Sequence, residues 1–466
     1  MNIMVYINRR NELRRREAVQ VKKTLTGYET NKKIAFDIDG VLTDFEWFLN
    51  VYGNRFFSKR YHVNAQPVDC TTNKIAARFR YPQGDEKLFY IRYLFWYIRK
   101  MPIRENASAV IHLLREQGNS VYLITARVLA DKENILGKIM RQYLVRWLKR
   151  NHVEYDGIYY VSVENSAEDK RKICEKEKID IMVEDDPDNI EEIRNVCDVI
   201  CMDADYNNNF KEIKRALDFG EVYKYIHEQR YHELKVLSYQ EREKMPYDKL
   251  SLYFNELYNY YKSLPFDKRY LKQHEKNIER FIRLPRVILN FFLHIKISEG
   301  AIPKDTKGTI FVCNHRRSLD IPICYCVLNK TKARILMKRE YEEKAVGKLL
   351  KYLGVIFVKR EDGKSGKSTQ NLMIQTLLND GNILLFPEGT RNRTNQILLP
   401  FKYGAVYMAQ VTGAPIIPII INRINRRRYE VKIGKSMSVN YLDDLSDKNK
   451  ELQEQMKRMI CEDCLE

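Results

Sequence analysis

Short apolar runs alternating with amphipathic stretches dominate the first 220 residues. Residues 34–39 (IAFDID) read as a buried strand ending in acidic residues, and residues 121–125 read as a second strand. Between them come a mostly aromatic and basic stretch to about residue 104 and a helical pattern over 106–117. Helices follow over 135–150 and around 169–178, and then a strand, IDIMV, runs into Glu184-Asp185-Asp186. Strands alternating with helices predict a parallel α/β sheet with its functional loops at the carboxyl ends of the strands. Residues 219–280 are charged, Tyr-rich and poor in Gly, which predicts a helical connector. A second α/β pattern starts near Gly308, with strands at 309–312, 355–358, 383–386 and 416–421. No internal repeat is visible. The chain therefore divides into a leader (1–32), an α/β domain (33–218), the connector (219–280), a different α/β domain (281–445) and an acidic tail (446–466).

Length and composition agree with this division. At roughly 150 residues per domain, 466 residues suggest two or three domains. The 44% hydrophobic and 31% charged content suits packed cores and excludes wholesale disorder. Charge sharpens the picture. Of the net +19, residues 1–33 carry +6 and residues 301–440 carry +15, so the remainder is slightly acidic. Acidic partners are expected at the leader and the C-terminal half: phosphate-bearing substrates, anionic lipid or nucleic acid. Nine cysteines, mostly in apolar runs, make no disulfide framework and point to a reduced, cytoplasmic setting. No run is apolar enough for a membrane-spanning helix, and the start is too polar for a signal peptide.

Candidate chemistry in the first domain begins at Phe36-Asp37-Ile38-Asp39-Gly40. Alternation in a strand would turn Asp37 and Asp39 to one side, and the following Gly permits a sharp exit. Two close carboxylates repel unless a divalent cation or a proton intervenes. Phosphoryl transfer needs that arrangement: one carboxylate attacks phosphorus, the other protonates the leaving oxygen, and Mg²⁺ absorbs charge. A solvated acidic turn is the simpler account of an isolated pair. Here, however, further elements follow in order: Thr125-Ala126-Arg127 at a strand tip, Lys170 at a helix, and Glu184-Asp185-Asp186 after a strand. Over residues 33–218 this series resembles the haloacid dehalogenase phosphatase superfamily, and its wording (DIDGVLTD, TAR, EDDPDN) is most similar to the 5′-nucleotidase-type branch. The resemblance implies a Rossmann-like parallel sheet with a small cap between Thr43 and Asn106. It also implies Asp37 as nucleophile and Asp39 as general acid/base. Thr125 and Lys170 would hold the phosphoryl oxygens, and Asp37, Asp39 and Asp185 would bind Mg²⁺. The accessory metal ligand is left between Asp186 and Asp188.

The second domain offers Asn314-His315-Arg316-Arg317-Ser318-Leu319-Asp320 after a strand. Five residues correspond to about 140° on a helix, so His315 and Asp320 cannot share a helical face. They fit a strand-to-helix turn instead, with Pro322 in the first helical turn. There Asp320 can hold one ring nitrogen while the other acts as a base. Phe386-Pro387-Glu388-Gly389-Thr390-Arg391 brings a cation and turn N–H groups to another strand end, Lys359-Arg360 end a third strand, and an apolar strand flanked by Pro415 and Pro418 follows. Over about residues 285–440 these four blocks resemble the glycerolipid acyltransferase family. The resemblance implies that His315 deprotonates the acceptor hydroxyl of 1-acyl-glycerol-3-phosphate for attack on an acyl-CoA or acyl carrier protein thioester. Asp320 would orient His315, while Arg360, Glu388, Gly389, Thr390 and Arg391 would bind the glycerol phosphate.

Lipid substrates imply access to a membrane. Leu284, Val287, Ile288, Phe291 and Ile295 recur at helical spacing beside Arg283, Arg286 and Lys296, a pattern that suits either an interfacial segment or a core-packing helix. Peripheral association with the inner, anionic face of the cell membrane is the expected localisation, acyl carrier protein is a candidate partner, and nucleic acid is not expected. The sequence Gly363-Lys364-Ser365-Gly366-Lys367-Ser368 lacks the leading Gly of a phosphate-binding loop. Two activities in one chain are expected: acyl transfer giving phosphatidic acid, and Mg²⁺-dependent phosphatase chemistry. The alternative is an acyltransferase for glycerol-3-phosphate or another lysophospholipid, with a first domain that only binds a phosphorylated ligand.

Overall fold

The computed structural model describes residues 31–210, 212–227, 241–242, 244–304, 306–328, 330–343, 346–358 and 363–461. The chain forms two compact units, Met1–Ile226 and His227–Glu466.

The first unit is built on six parallel strands: β1 (Lys33–Phe36), β2 (Ser120–Thr125), β3 (Gly157–Tyr160), β4 (Ile181–Glu184), β5 (Asp198–Met202) and β6 (Lys214–Ala216). Their order is β3-β2-β1-β4-β5-β6, so β1 is central and its carboxyl end faces those of β2 and β4. Ile34, Ala35 and Phe36 are fully buried, as expected for a strand covered on both faces. β1 stops at Phe36, earlier than the sequence reading: Asp37 N–H still bonds Val183 O at 3.0 Å, but the chain then turns tightly over 38–42 and leaves the sheet. Asp37 and Asp39 thus sit on a turn and not in strand alternation. Helices Phe45–Tyr61, Ile75–Phe79 and Gly84–Lys100 form the cap, and their aromatic side chains pack together, Phe48 against Tyr97 at 4.5 Å and Tyr52 against Trp96 at 4.3 Å.

The second unit has seven strands: β7 (His294–Glu299), β8 (Ile310–Cys313), β9 (Arg334–Lys338), β10 (Ile356–Val358), β11 (Ile383–Leu385), β12 (Ile416–Arg423) and β13 (Arg428–Ile433). The order is β10-β9-β11-β8-β12-β13-β7, parallel except for the β12–β13 hairpin. The expected connector divides. Helix Phe219–Ile226 packs in the first unit, with Phe219 stacked on Phe36. Helix Tyr247–Ser263 buries Tyr253, Phe254, Leu257 and Tyr261 in the core of the second unit. The tail likewise folds into helix Leu445–Cys461, which buries Leu452, Met456 and Met459 in that core. In both segments the apolar residues recur at helical spacing, and burying each contributes about 1.5–3 kcal/mol. Among the described residues no helix is long and apolar enough to cross a membrane.

Candidate active sites

In the first unit the carboxyl ends of β1, β2 and β4 converge. Asp37 is 5% exposed, and its Oδ1 lies 3.1 Å from Lys170 Nζ. Lys170 stands one turn inside helix Ser166–Glu177 and also donates to Glu184 Oε2 at 2.7 Å. Burial pushes Asp37 up to about 8 against the pull of the Lys170 ammonium, with Glu184 and Asp39 adding to the rise. For Lys170 burial works the other way, but Asp37 and Glu184 outweigh it and hold the amine charged. Asp185 is raised well above the usual carboxylate range by burial, then by Glu184 and Asp37.

Asp37, Glu184 and Asp185 bring one oxygen each to within 4.8 Å of one another. Asp185 Oδ1 and Thr125 Oγ1 are buried without a hydrogen-bond partner, and so is the free guanidinium nitrogen, Nη1, of Arg127. Buried polar groups left open in this way are what a divalent cation and a phosphoryl group would satisfy, so these residues fit Mg²⁺. Glu184, absent from the sequence-derived ligand set, lies in the cluster although Lys170 and the N–H groups of Asp185 and Asp186 already use its oxygens, whereas Asp39 lies outside it, with both oxygens held by the Arg127 guanidinium, Oδ2 at 3.0 Å from Nε. Asp186 caps helix Pro187–Ile193, accepting from the N–H groups of Asp188 and Asn189, and its Oδ2 accepts from the cap residue Asn73 at 2.7 Å; Asp188 is exposed.

Sequence reasoning also missed what holds Asp185. The Tyr206 phenol donates to Asp185 Oδ2, and Asn207 Nδ2 donates to the Asp185 carbonyl at 2.7 Å. Gly40, at φ +93°, lies so close that a Cβ there would fall 1.8 Å from Asp185 Oδ2. Nothing in the local sequence pattern singled out Tyr206; Arg127 was visible as a cation at a strand tip but without a role.

In the second unit β8 ends at Cys313 and helix Asp320–Val327 begins six residues after Asn314, the strand-to-helix turn expected from the spacing. His315 Nδ1 lies 3.1 Å from Asp320 Oδ2, which also accepts the N–H groups of Arg316 (2.7 Å) and Arg317 (2.6 Å). Phe386 lies against the imidazole, centroids 4.4 Å apart. Asn314 fastens the turn to β12, exchanging hydrogen bonds with the Ile421 backbone.

The loop after β11 meets this turn: Asn392 N–H donates to His315 O at 2.7 Å. Glu388, grouped from sequence with the substrate-binding loop, is buried and uses both oxygens inside the protein, Oε1 for His315 N–H and Oε2 for Leu399 N–H, each at 2.9 Å. It acts as a clamp between the two loops. Gly389 takes φ +70° beside the Lys402 chain, and Thr390 is exposed. Arg391 is half-buried, with Nε buried and unpartnered. Arg360 lies outside the described residues.

Both sites have counterparts among known proteins. A family model described as "Acyltransferase" matches residues 294–422, and one described as "5′ nucleotidase, deoxy (Pyrimidine), cytosolic type C protein" matches residues 31–232. The 1-acyl-sn-glycerol-3-phosphate acyltransferase of Helicobacter pylori is 30% identical over 163 residues, 33% of this chain and 69% of that protein. The enzyme of the same name from Haemophilus influenzae is 35% identical over 141 residues, 28% of this chain and 58% of that one. The chain thus spans little more than half the length of the latter. The crystal structure of the 1-acyl-sn-glycerophosphate acyltransferase PlsC from Thermotoga maritima covers 47% of this chain and 96% of its own, at 23% identity and a TM-score of 0.35, too loose a match to build on. Together the two sheets define an α/β protein with a haloacid dehalogenase-like first unit and an acyltransferase second unit. The chain belongs to the 1-acyl-sn-glycerol-3-phosphate acyltransferase family.

Proposed function

We propose that the chain is a bifunctional enzyme of phospholipid synthesis. Its second unit transfers an acyl group from an acyl-CoA or acyl carrier protein thioester to the free hydroxyl of 1-acyl-glycerol-3-phosphate. The observation that carries this reading is the 3.1 Å contact between His315 Nδ1 and Asp320. With Nδ1 engaged, Nε2 is the nitrogen that takes the hydroxyl proton as the oxygen attacks the thioester carbonyl; the thiolate leaves and takes up a proton. Asp320 keeps the ring in that tautomer and stabilises its protonated form. Arg391, Gly389 and Thr390 bind the acceptor's phosphate, together with Arg360.

The first unit hydrolyses a phosphate monoester. Asp37 attacks phosphorus to form an aspartyl-phosphate, Asp39 protonates the leaving oxygen and then activates water, and Lys170 and Thr125 hold the phosphoryl oxygens. Asp37 and Asp185, with Glu184 beside them, would hold Mg²⁺, which neutralises charge on the transferring group. The protein works at the inner face of the cell membrane, where lysophosphatidic acid resides.

Incubation with lysophosphatidic acid and an acyl thioester should yield phosphatidic acid, and His315→Ala should abolish it. Preference for glycerol-3-phosphate or another lysophospholipid would replace the acceptor assignment. Phosphate release from monoesters with Mg²⁺, lost in Asp37→Asn, tests the first unit. No turnover in either form would reduce that unit to a phosphate-ligand binder.

A further inference from the structure

The β12–β13 hairpin reaches past the level of the acyl-transfer site. Ile419 on β12 pairs with Cys313 on β8, and Ile421 is hydrogen-bonded to Asn314, so His315 stands roughly level with Ile421. The strand continues to Arg423, and Ile424 N–H bonds Arg428 O at 3.0 Å to close the hairpin. At ~3.3 Å per residue the tip extends about 10 Å beyond the edge that carries His315.

The tip is basic and apolar together. Arg423, Arg426, Arg427 and Arg428 are exposed, and among the described residues none of them has an ion pair, while Ile424 is 63% exposed. A second apolar element meets it. His294, the first residue of β7, pairs with Arg428 and donates its N–H to Arg427 O at 2.7 Å. The end of helix Lys268–Phe292 therefore lies at the same end of the sheet, where Val287 (67% exposed), Phe291 (79%) and Phe292 (60%) face solvent.

We propose that the hairpin tip and the end of this helix form one docking surface for an anionic lipid bilayer, and that docking turns the His315 edge of the sheet toward the lipid. The inference rests on the proposed function, for it names the surface by which that site reaches a lipid acceptor. Four exposed arginines, without a carboxylate partner among the described residues, complement anionic headgroups, and the exposed Phe and Ile side chains enter the headgroup–acyl boundary. An acidic protein partner would use the arginines but leave four large apolar side chains without a role.

The test uses the full chain in flotation with vesicles of phosphatidylcholine alone or mixed with phosphatidylglycerol. Native protein should float with the mixed vesicles and far less with phosphatidylcholine. The Arg426→Ser/Arg427→Ser double variant should lose roughly 25-fold in partitioning, about fivefold per arginine. Ile424→Ser and Phe291→Ser should each weaken binding with net charge and melting temperature unchanged, and no variant should alter acyl transfer to a soluble short-chain acceptor. Equal binding by the variants, an equal loss from Lys176→Ser/Lys450→Ser at exposed positions elsewhere, or binding of acyl carrier protein in place of vesicles would overturn the proposal. Absent acyl transfer with variant-sensitive flotation would instead sink the acceptor assignment and leave the surface standing.

Discussion

Asp320 Oδ2 accepts three hydrogen bonds at once, from the His315 ring at 3.1 Å and from the backbone N–H groups of Arg316 and Arg317 at 2.7 and 2.6 Å. One carboxylate thus fixes both the turn and the imidazole. Asp320→Asn keeps an acceptor for the turn but loses the charge that stabilises the protonated ring. Acyl transfer should fall by about 10³–10⁴ with melting temperature little changed, measured as kcat/KM across pH.

The two candidate sites lie on separate sheets, so the proposed activities should separate by mutation. Asp37→Asn should remove phosphate release while leaving thioester consumption within twofold or so. His315→Ala should do the reverse. Assays of both activities on each variant check this.

Tyr206 is 6% exposed, and its phenol occupies one oxygen of Asp185, leaving Oδ1 open. Tyr206→Phe strands a buried acceptor, at about 1–3 kcal/mol, and frees the carboxylate to turn. Calorimetric Mg²⁺ binding should weaken and the metal-free melting temperature should drop. A variant that binds Mg²⁺ as tightly as the native chain would remove Tyr206 from this role.

The Asp37 carboxyl sets a pH dependence. It rises from 3.8 to about 8 through burial, so between those values the folded unit holds a proton that the unfolded chain has released. That contribution to stability is complete below about pH 4 and is lost as pH rises through about 8. Without metal, the first unit should melt lower at about pH 9 than at about pH 6. Added Mg²⁺, which needs the ionised carboxylates, should raise the melting temperature more at the higher pH, as read by differential scanning calorimetry.

Gly40→Ala combines a φ of +93° with a methyl group 1.8 Å from Asp185 Oδ2. The side chain of Asp185 would have to leave its place, so phosphate release should be lost even if circular dichroism shows a folded protein.

Local pattern carried much of this architecture. Helix Ile135–Arg150 spans the limits its periodicity predicts, and the His315–Asp320 spacing foretold a strand-to-helix turn because five residues cannot close on one helical face. The motif residues Asp37, Lys170, Asp185, His315 and Asp320 could be named from order along the chain. Strands β3, β6 and β7 escaped because they are half-buried or exposed, and β5, β9 and β13 escaped as well, because their mostly buried runs show no clean alternation. Which carboxylates meet was a different matter. Asp39 looked equivalent to Asp37 until Arg127, 88 residues away, claimed both of its oxygens; Glu184 looked like a strand end until Lys170 approached it. Glu388 likewise became a clamp only once His315 and Leu399 were brought to its two oxygens. Hydrogen bonds and ion pairs select partners by distance in space, and distance across strands is set by sheet order, which no local spacing encodes. The order of motifs along the chain pointed to the kinds of chemistry; the tertiary structure decided which side chains lie together and which ones hold them still.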